Sequence, residues 1–345
     1  MARKIYVHLG AQKTGTTAIQ KTLYSARAAL LEKGIHWLGR DNWYEGLHGA
    51  FTQTPEAMTI SPGDSSEAVA AARDKTLSHL KEQIEASDAE TFVISCESLN
   101  KLKATEMLAL KEFFAQFGEV HAIYFYRHLT PWRASQSQHY AKTARRTDPI
   151  SYREAAYTLR EIPKRILSVF GEELTHIVSF EASAKAGICD SFLALMDGPT
   201  LQELGHKEIR ANESLTGPAT HMNYLMNKIY RAGHPARSKR VMYKIRRVEG
   251  PKYQGPPLTQ AEHADYTALY AENASDLKLA LEHPDDLAVS ETPDEAMIPV
   301  SALEDILTDY AQSVRQLNKV RKMIRKALRE QTSLEKIAKK IEPPI

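Results

Sequence analysis

The chain has 345 residues, of which 43% are hydrophobic and 26% charged, the composition of a globular protein able to bury a sizeable core. That excludes disorder as the main state, and no apolar run approaches the roughly 18 residues a membrane-crossing helix needs. Two cysteines, Cys96 and Cys189, argue against a disulfide framework or a cysteine zinc site. The first residues run directly into an apolar segment with no signal-peptide pattern, so a cytoplasmic protein is expected.

The net charge of +2 hides a segregated distribution. Residues 281–309 carry nine acids and no Lys or Arg, residues 310–345 ten Lys or Arg against three acids, and residues 231–252 eight against one. Basic stretches of this kind attract anionic substrates, membranes or nucleic acid, or are solvated helix faces.

In chain order, Lys4–Leu9 is β-branched and aromatic-rich and reads as a first strand. Gly10 to Thr17 form a loop, after which Ile19, Leu23, Ala26 and Leu30 recur at helical spacing up to a stop at Gly34. Ile35–Leu38 is a short second strand. Residues 40–66 are turn-rich and expected to be irregular, followed by a helix to about Ala86. Thr91–Ser95 is a short apolar run of the buried parallel type. Thr105–Phe117 is an amphipathic helix ended by Gly118, and Val120–Tyr126 is the next strand. Pro131 opens a helix in its first turn. Leu174–Phe180 is a further strand, and helical patterns follow near 189–197, 216–231, 259–282 and 302–341. Strands alternating with helices predict an α/β three-layer sandwich with a central parallel sheet and a helical C-terminal half. The expected organisation is one domain over 1–309 and a basic C-terminal helix or extension over 310–345.

The loop Gly10-Ala11-Gln12-Lys13-Thr14-Gly15-Thr16-Thr17 joins a strand to a helix. Such a turn gathers backbone N–H groups and a helix N-terminus at one point and suits an anion. Lys13 adds a charge, and Thr14, Thr16 and Thr17 add hydroxyls. The order departs from a Walker A loop, in which the Lys follows the second Gly. A second cationic position is Arg127, directly after the strand Val120–Tyr126, with Ser135 eight residues on. Ligands of parallel sheets collect beyond the carboxyl ends of strands, where both motifs fall. An Arg can grip phosphate bidentately.

Together these motifs resemble the PAPS-dependent sulfotransferases, in their bacterial branch. The loop is similar to the family's 5′-phosphosulfate loop, and the pair Arg127 and Ser135 to its 3′-phosphate motif. Ser137-Gln138-His139-Tyr140-Ala141-Lys142 looks like the helix that follows, and Arg210-Ala211-Asn212-Glu213-Ser214-Leu215 is similar to a stretch of bacterial members. The resemblance spans roughly residues 4–280. It implies a P-loop NTPase-like fold. It also implies transfer of a sulfuryl group from PAPS to a hydroxyl or amine, with PAP released and no metal required. Gln12, Lys13, Thr14, Gly15, Thr16, Thr17, Arg127 and Ser135 would hold the cofactor. The Trp that follows the loop in cytosolic eukaryotic members is here Ala18, so an adenine contact must come from elsewhere, and Trp132 is a candidate. The C-terminal glycine-rich segment of those members is missing, which points to glycans, lipids or small metabolites as acceptors, as in carbohydrate sulfation.

For the general base the residues offer Glu97, just past the strand Thr91–Ser95, with His48 and His36 as alternatives in the segment expected along the acceptor cleft. No metal-ligand motif is evident in the sequence. Two other readings stay open, a nucleotide-dependent kinase with an atypical P-loop and a non-catalytic module that binds PAP or an anionic glycan. No nucleic-acid partner is expected, and the basic tail is a candidate for peripheral membrane contact. The sequence does not fix the oligomeric state.

Overall fold

The computed structural model describes residues 3–39, 45–53, 66–209, 214–231, 239–256 and 258–276, together with Arg315 and Lys322. Five strands form one parallel sheet: β1 (Lys4–His8), β2 (Ile35–Trp37), β3 (Thr91–Ser95), β4 (Glu119–Tyr126) and β5 (Thr175–Ser179). The spatial order is β2-β3-β1-β4-β5. In register, Tyr6 of β1 pairs with Val93 on one side and His121 on the other. The parallel sheet predicted from the sequence is therefore present, and its central strand is the first. Ile5, Tyr6, Val7 and His8 are all buried, as expected of a strand covered on both faces.

Helices cover the two faces. After β1 come α1 (Thr16–Ser25) and α2 (Arg27–Glu32), and far along the chain α8 (Phe180–Ala186) and α9 (Ile188–Ala194). Tyr6, Val93, Ile123 and Phe125 pack with Ile19, Leu23 and Leu30 of α1 and α2 and with Phe192 of α9. Alternate strand residues turn to the opposite face. There α5 (Ala104–Ala115) and α7 (Tyr152–Phe170) pack on β4, and α12 (Gln260–Asp276) packs on α7. Helix α3 (Glu45–Phe51) packs on α4 (Ser66–Glu85) and on α5. Helix α6 (Leu129–Lys142) follows β4 directly.

Several element boundaries differ from those read in the sequence. The periodic stretch after Gly15 is two helices broken at Ala26, and Gly34 then closes the second with a φ of 76°, a conformation that carries no Cβ penalty for glycine. The turn-rich segment before residue 66 contains α3. Helix α7 has no counterpart among the sequence expectations, because Pro163 interrupts its pattern. Its start is well specified nonetheless. Ser151 and Glu154 form a reciprocal capping box, with Glu154 Oε2 accepting the Ser151 N–H at 3.0 Å and Ser151 Oγ accepting the Glu154 N–H at 3.3 Å. Apart from Arg315 and Lys322, the helix expected over 302–341 and the segment 310–345 lie outside the described residues, as does Arg210–Glu213.

The described chain falls into two compact units. The first holds the sheet, α1–α5, α7–α9, α12 and α6 through Gln136. The second is drawn from residues 137–149 and 214–256, with α10 (Gly217–Arg231) and α11 (Lys239–Arg246). Within it, Tyr224 Oη donates to the Ser137 carbonyl at 2.7 Å, and Asn227 Nδ2 donates to those of Ala141 and Arg146. Among the described residues no helix is long and apolar enough to cross a membrane.

Candidate functional site

The order β3-β1-β4 sets three neighbouring strand ends side by side. The connection leaving β1 runs over one face of the sheet, through α1 and α2. Those leaving β3 and β4 run over the other, through α5 and α7. A crevice opens where such connections part. The anion loop leaves β1, Glu97 leaves β3 and Arg127 leaves β4, so the three sequence motifs meet there.

The ladder continues into the loop and pins its base. The Cys96 N–H donates to the His8 carbonyl at 3.1 Å, the Leu9 N–H to that of Ile123 at 3.0 Å, and the Phe125 N–H to that of Gly10 at 3.3 Å. Gly10 has a φ of 94°, and a Cβ there would stand 3.1 Å from the Glu97 carbonyl oxygen. Gly15 caps α1 in the left-handed conformation, and its Cβ would collide with the Ile188 side chain. The positive φ favours glycine at both positions, and at Gly10 the close Glu97 backbone adds to it. The first turn of α1 has no acidic side chain and no side-chain cap, so the positive end of the helix is uncompensated.

Within the loop the threonines divide. Thr14 Oγ1 donates to the Ala11 carbonyl at 2.6 Å and Thr16 Oγ1 to the same oxygen at 3.1 Å, both fully or nearly fully buried. Their protons hold the loop closed. Thr17 is half-buried and finds no hydrogen-bond partner for its side chain among the described residues. Gln12 is held by α6. Trp132 Nε1 donates to its carbonyl at 2.9 Å, and Gln136 Nε2 to its Oε1 at 2.6 Å. Trp132 and Gln136 are one helical turn apart, so one face of α6 braces the loop. Trp132, the sequence candidate for an adenine contact, is only 6% exposed and spends its N–H on this brace.

Lys13, Glu97 and Arg127 interact electrostatically. Burial pushes the Lys13 ammonium below its ordinary range, Glu97 opposes that shift and Arg127 adds to it. Burial likewise lowers Arg127, with Glu181 opposing. Arg127 Nη1 donates to the Lys13 carbonyl, and its guanidinium lies 4.7 Å from the Phe180 ring centroid. Its Nε is buried without a hydrogen-bond partner. Ser135 is half-buried and sits between Trp132 and Gln136 on α6, on the flank of the bracing face.

Glu97 begins a 3-10 turn, Glu97–Lys101. His48 of α3 lies against the far end of that turn. Burial lowers its pKa, the Lys101 charge lowers it further, and Glu106 opposes. His36 lies in mid-strand β2, one strand beyond β3, with its ring 5.7 Å from that of Phe92. The structure therefore gathers Lys13, Glu97 and Arg127, sets His48 beside the same turn as Glu97, and leaves His36 in the sheet. Among the described residues no group of three or more His, Cys, Asp or Glu could hold a metal ion.

Sequence reasoning missed a polar layer under the loop. His8 Nδ1 and Ser95 Oγ share a hydrogen bond of 2.8 Å, and Gln20 Nε2 donates to Ser95 Oγ and to the Ser95 carbonyl, each at 3.2 Å. His8 Nε2 is buried without a hydrogen-bond partner. Burial pushes His8 down to about 3. Its place in the apolar run of β1 was a signal for burial but carried none for these partners. Glu181 and Phe180 were missed as well, because their relation to Arg127 is purely tertiary.

No protein-family model matches the chain, and no curated protein matches it. Among solved structures it is similar to a sulfotransferase from Alicyclobacillus acidocaldarius, with 14% identity and a TM-score of 0.34, over 68% of this chain and 98% of the other. It is also similar to the sulfotransferase domain of the curacin biosynthetic pathway, with 15% identity and a TM-score of 0.38, over 82% of this chain and 99% of that one.

Proposed function

We propose that the chain is a sulfotransferase that uses PAPS as donor and releases PAP, with a glycan, a lipid or a small metabolite as acceptor. The observation that carries the reading is the meeting of Lys13, Glu97 and Arg127 at three adjacent strand ends beside an uncompensated helix N-terminus. An anion-binding loop, a second cation for another phosphate and a carboxylate are the parts that in-line group transfer needs.

PAPS supplies the sulfuryl group, held on the oxygen of a phosphate that departs with PAP. The loop N–H groups and Thr17 would bind the 5′-phosphosulfate, with Gln12, Thr14, Gly15 and Thr16 fixing the loop that presents them. Arg127 and Ser135 would bind the 3′-phosphate. As the acceptor oxygen bonds to sulfur and the sulfur–oxygen bond to phosphate breaks, Lys13 offsets charge on the departing oxygen. Glu97 takes the acceptor proton. His48, beside the other end of the same turn, is the second candidate for that proton. The interaction of Glu97 with Lys13 favours this reading over a module that merely binds PAP. Activity in the cytoplasm, with the basic tail against a membrane surface, completes the proposal.

The test is a thermal-shift titration followed by a transfer assay. PAP should stabilise the fold by roughly 2.7 kcal/mol at a hundredfold excess over its Kd. PAPS with panels of glycans, lipids and small alcohols should yield PAP and an acceptor heavier by one sulfuryl group. Strong stabilisation by ATP with Mg²⁺, with PAP inert, would instead make the chain a kinase.

A further inference from the structure

Arg127 is held on three sides, and one of them is unfinished. Nη1 is bonded to the Lys13 carbonyl and the Phe180 ring supports the guanidinium plane. On the third side stands Glu181, in the first turn of α8 after β5. Glu181 Oε1 accepts the His128 backbone N–H at 3.3 Å and lies 3.9 Å from Arg127 Nε. That separation is too long for a hydrogen bond. The atoms Arg127 Nε and Glu181 Oε2 are both buried, and neither has a hydrogen-bond partner.

Arg127 and Glu181 thus form a loose ion pair in which one buried atom on each side chain is left without a hydrogen bond. Each such atom costs the fold its desolvation penalty for as long as it lacks one. A small rotation of either side chain would bring Nε onto the carboxylate as a charge-assisted bond. The guanidinium would then be fixed at its Nε edge, with its remaining Nη donors aimed into the crevice. Glu181 also holds the backbone at His128, so the same carboxylate ties Arg127 to the start of α6, the helix that bears Ser135 and braces Gln12.

We propose that Glu181 is the positioning residue for Arg127: it orients the guanidinium through Nε and locks it to the β4–α6 junction, with or without a bound anion. The proposal rests on the reading of Arg127 as the 3′-phosphate residue. It excludes a purely electrostatic role, since a negative charge beside an anion site would by itself weaken binding.

Calorimetry with PAP and with adenosine 5′-phosphate, which lacks the 3′-phosphate, reads the proposal directly. Glu181→Ala should weaken PAP about tenfold or more and leave adenosine 5′-phosphate near wild type. Glu181→Gln keeps an acceptor oxygen for Nε and His128, and should stay within about threefold of wild type. Adding Glu181→Ala to Arg127→Ala should weaken PAP no further, since the first residue acts through the second. A folded Glu181→Ala protein with the wild-type preference for PAP would overturn the proposal. If that variant fails to fold, Glu181→Asp, one methylene too short to reach Nε, must show the same selective loss. Exchange of the Arg127 Nε–H with water, followed by NMR without ligand, separates this idea from the functional reading. Faster exchange in Glu181→Ala upholds the positioning role even if the wild type shows no preference for PAP, a result that would remove the 3′-phosphate reading alone. Unchanged exchange removes the positioning role whatever the ligand.

Discussion

On the proposed reading, Glu97 and Lys13 predict different responses to substitution. Glu97 interacts with Lys13 across the crevice. Glu97→Gln preserves size and most hydrogen bonding but cannot accept a proton. Turnover should fall about 10²–10⁴-fold while PAP affinity stays near wild type. A folded variant that binds PAP and turns over normally would shift the role to His48. In the proposed mechanism Lys13 would meet charge that grows only as the bond to sulfur breaks. Lys13→Ala should therefore lower kcat more than it weakens PAP binding, and equal losses in rate and affinity would reduce Lys13 to an anchor. The residue types and their order were legible in the sequence. The division of labour among the threonines was not, because Thr14 and Thr16 turn inward to Ala11 through a loop path that no spacing rule specifies.

At the scale of elements, the proposed anion site is the strand-to-helix turn after β1. Gly15 sets its geometry with a φ of 75°, and a Cβ there would force the Ile188 side chain to shift. Gly15→Ala should destabilise the fold by about 1–3 kcal/mol and abolish PAP binding, as urea denaturation and calorimetry would report. Wild-type binding in that variant would mean that the loop does not form the anion site. The strands were readable from the sequence to within a residue or two, since four of them are short buried runs with β-branched or aromatic residues. Helix α7 was not, although its capping box is explicit. Pro163 sits mid-helix and broke the pattern, while tertiary packing of Leu159, Ile166 and Phe170 overrides the local cost.

For the molecule as a whole, the buried histidines predict an acid-sensitive fold. Burial lowers the pKa of His8 to about 3 and depresses those of His36, His48 and His176. A depressed His stays neutral in the folded state while the unfolded chain takes up protons below its ordinary pKa near 6.5. Protons then favour unfolding, so stability is full above that value and is lost as the pH falls toward the folded pKa. From His8 alone the loss between pH 7 and pH 5 is about 2 kcal/mol. Urea midpoints measured across this range should fall. In His8→Asn the decline should be flatter, even though that variant starts lower from its lost packing. An identical pH slope in both proteins would mean that His8 is protonated without cost.

The sequence alone determined which residues carry charge and hydroxyls, the short apolar strands, and the places where glycine interrupts them. These are local properties, set by side-chain chemistry and backbone sterics. Only the tertiary structure decided that the first strand lies between the third and the fourth, since strand order depends on which faces can be buried together. That order brings Glu97 and Arg127 to either side of Lys13, although 84 and 114 residues of chain separate them from it. It also decided that Trp132 braces the loop and that Glu181 faces Arg127. Both are contacts between distant segments, and no periodicity along the chain encodes them.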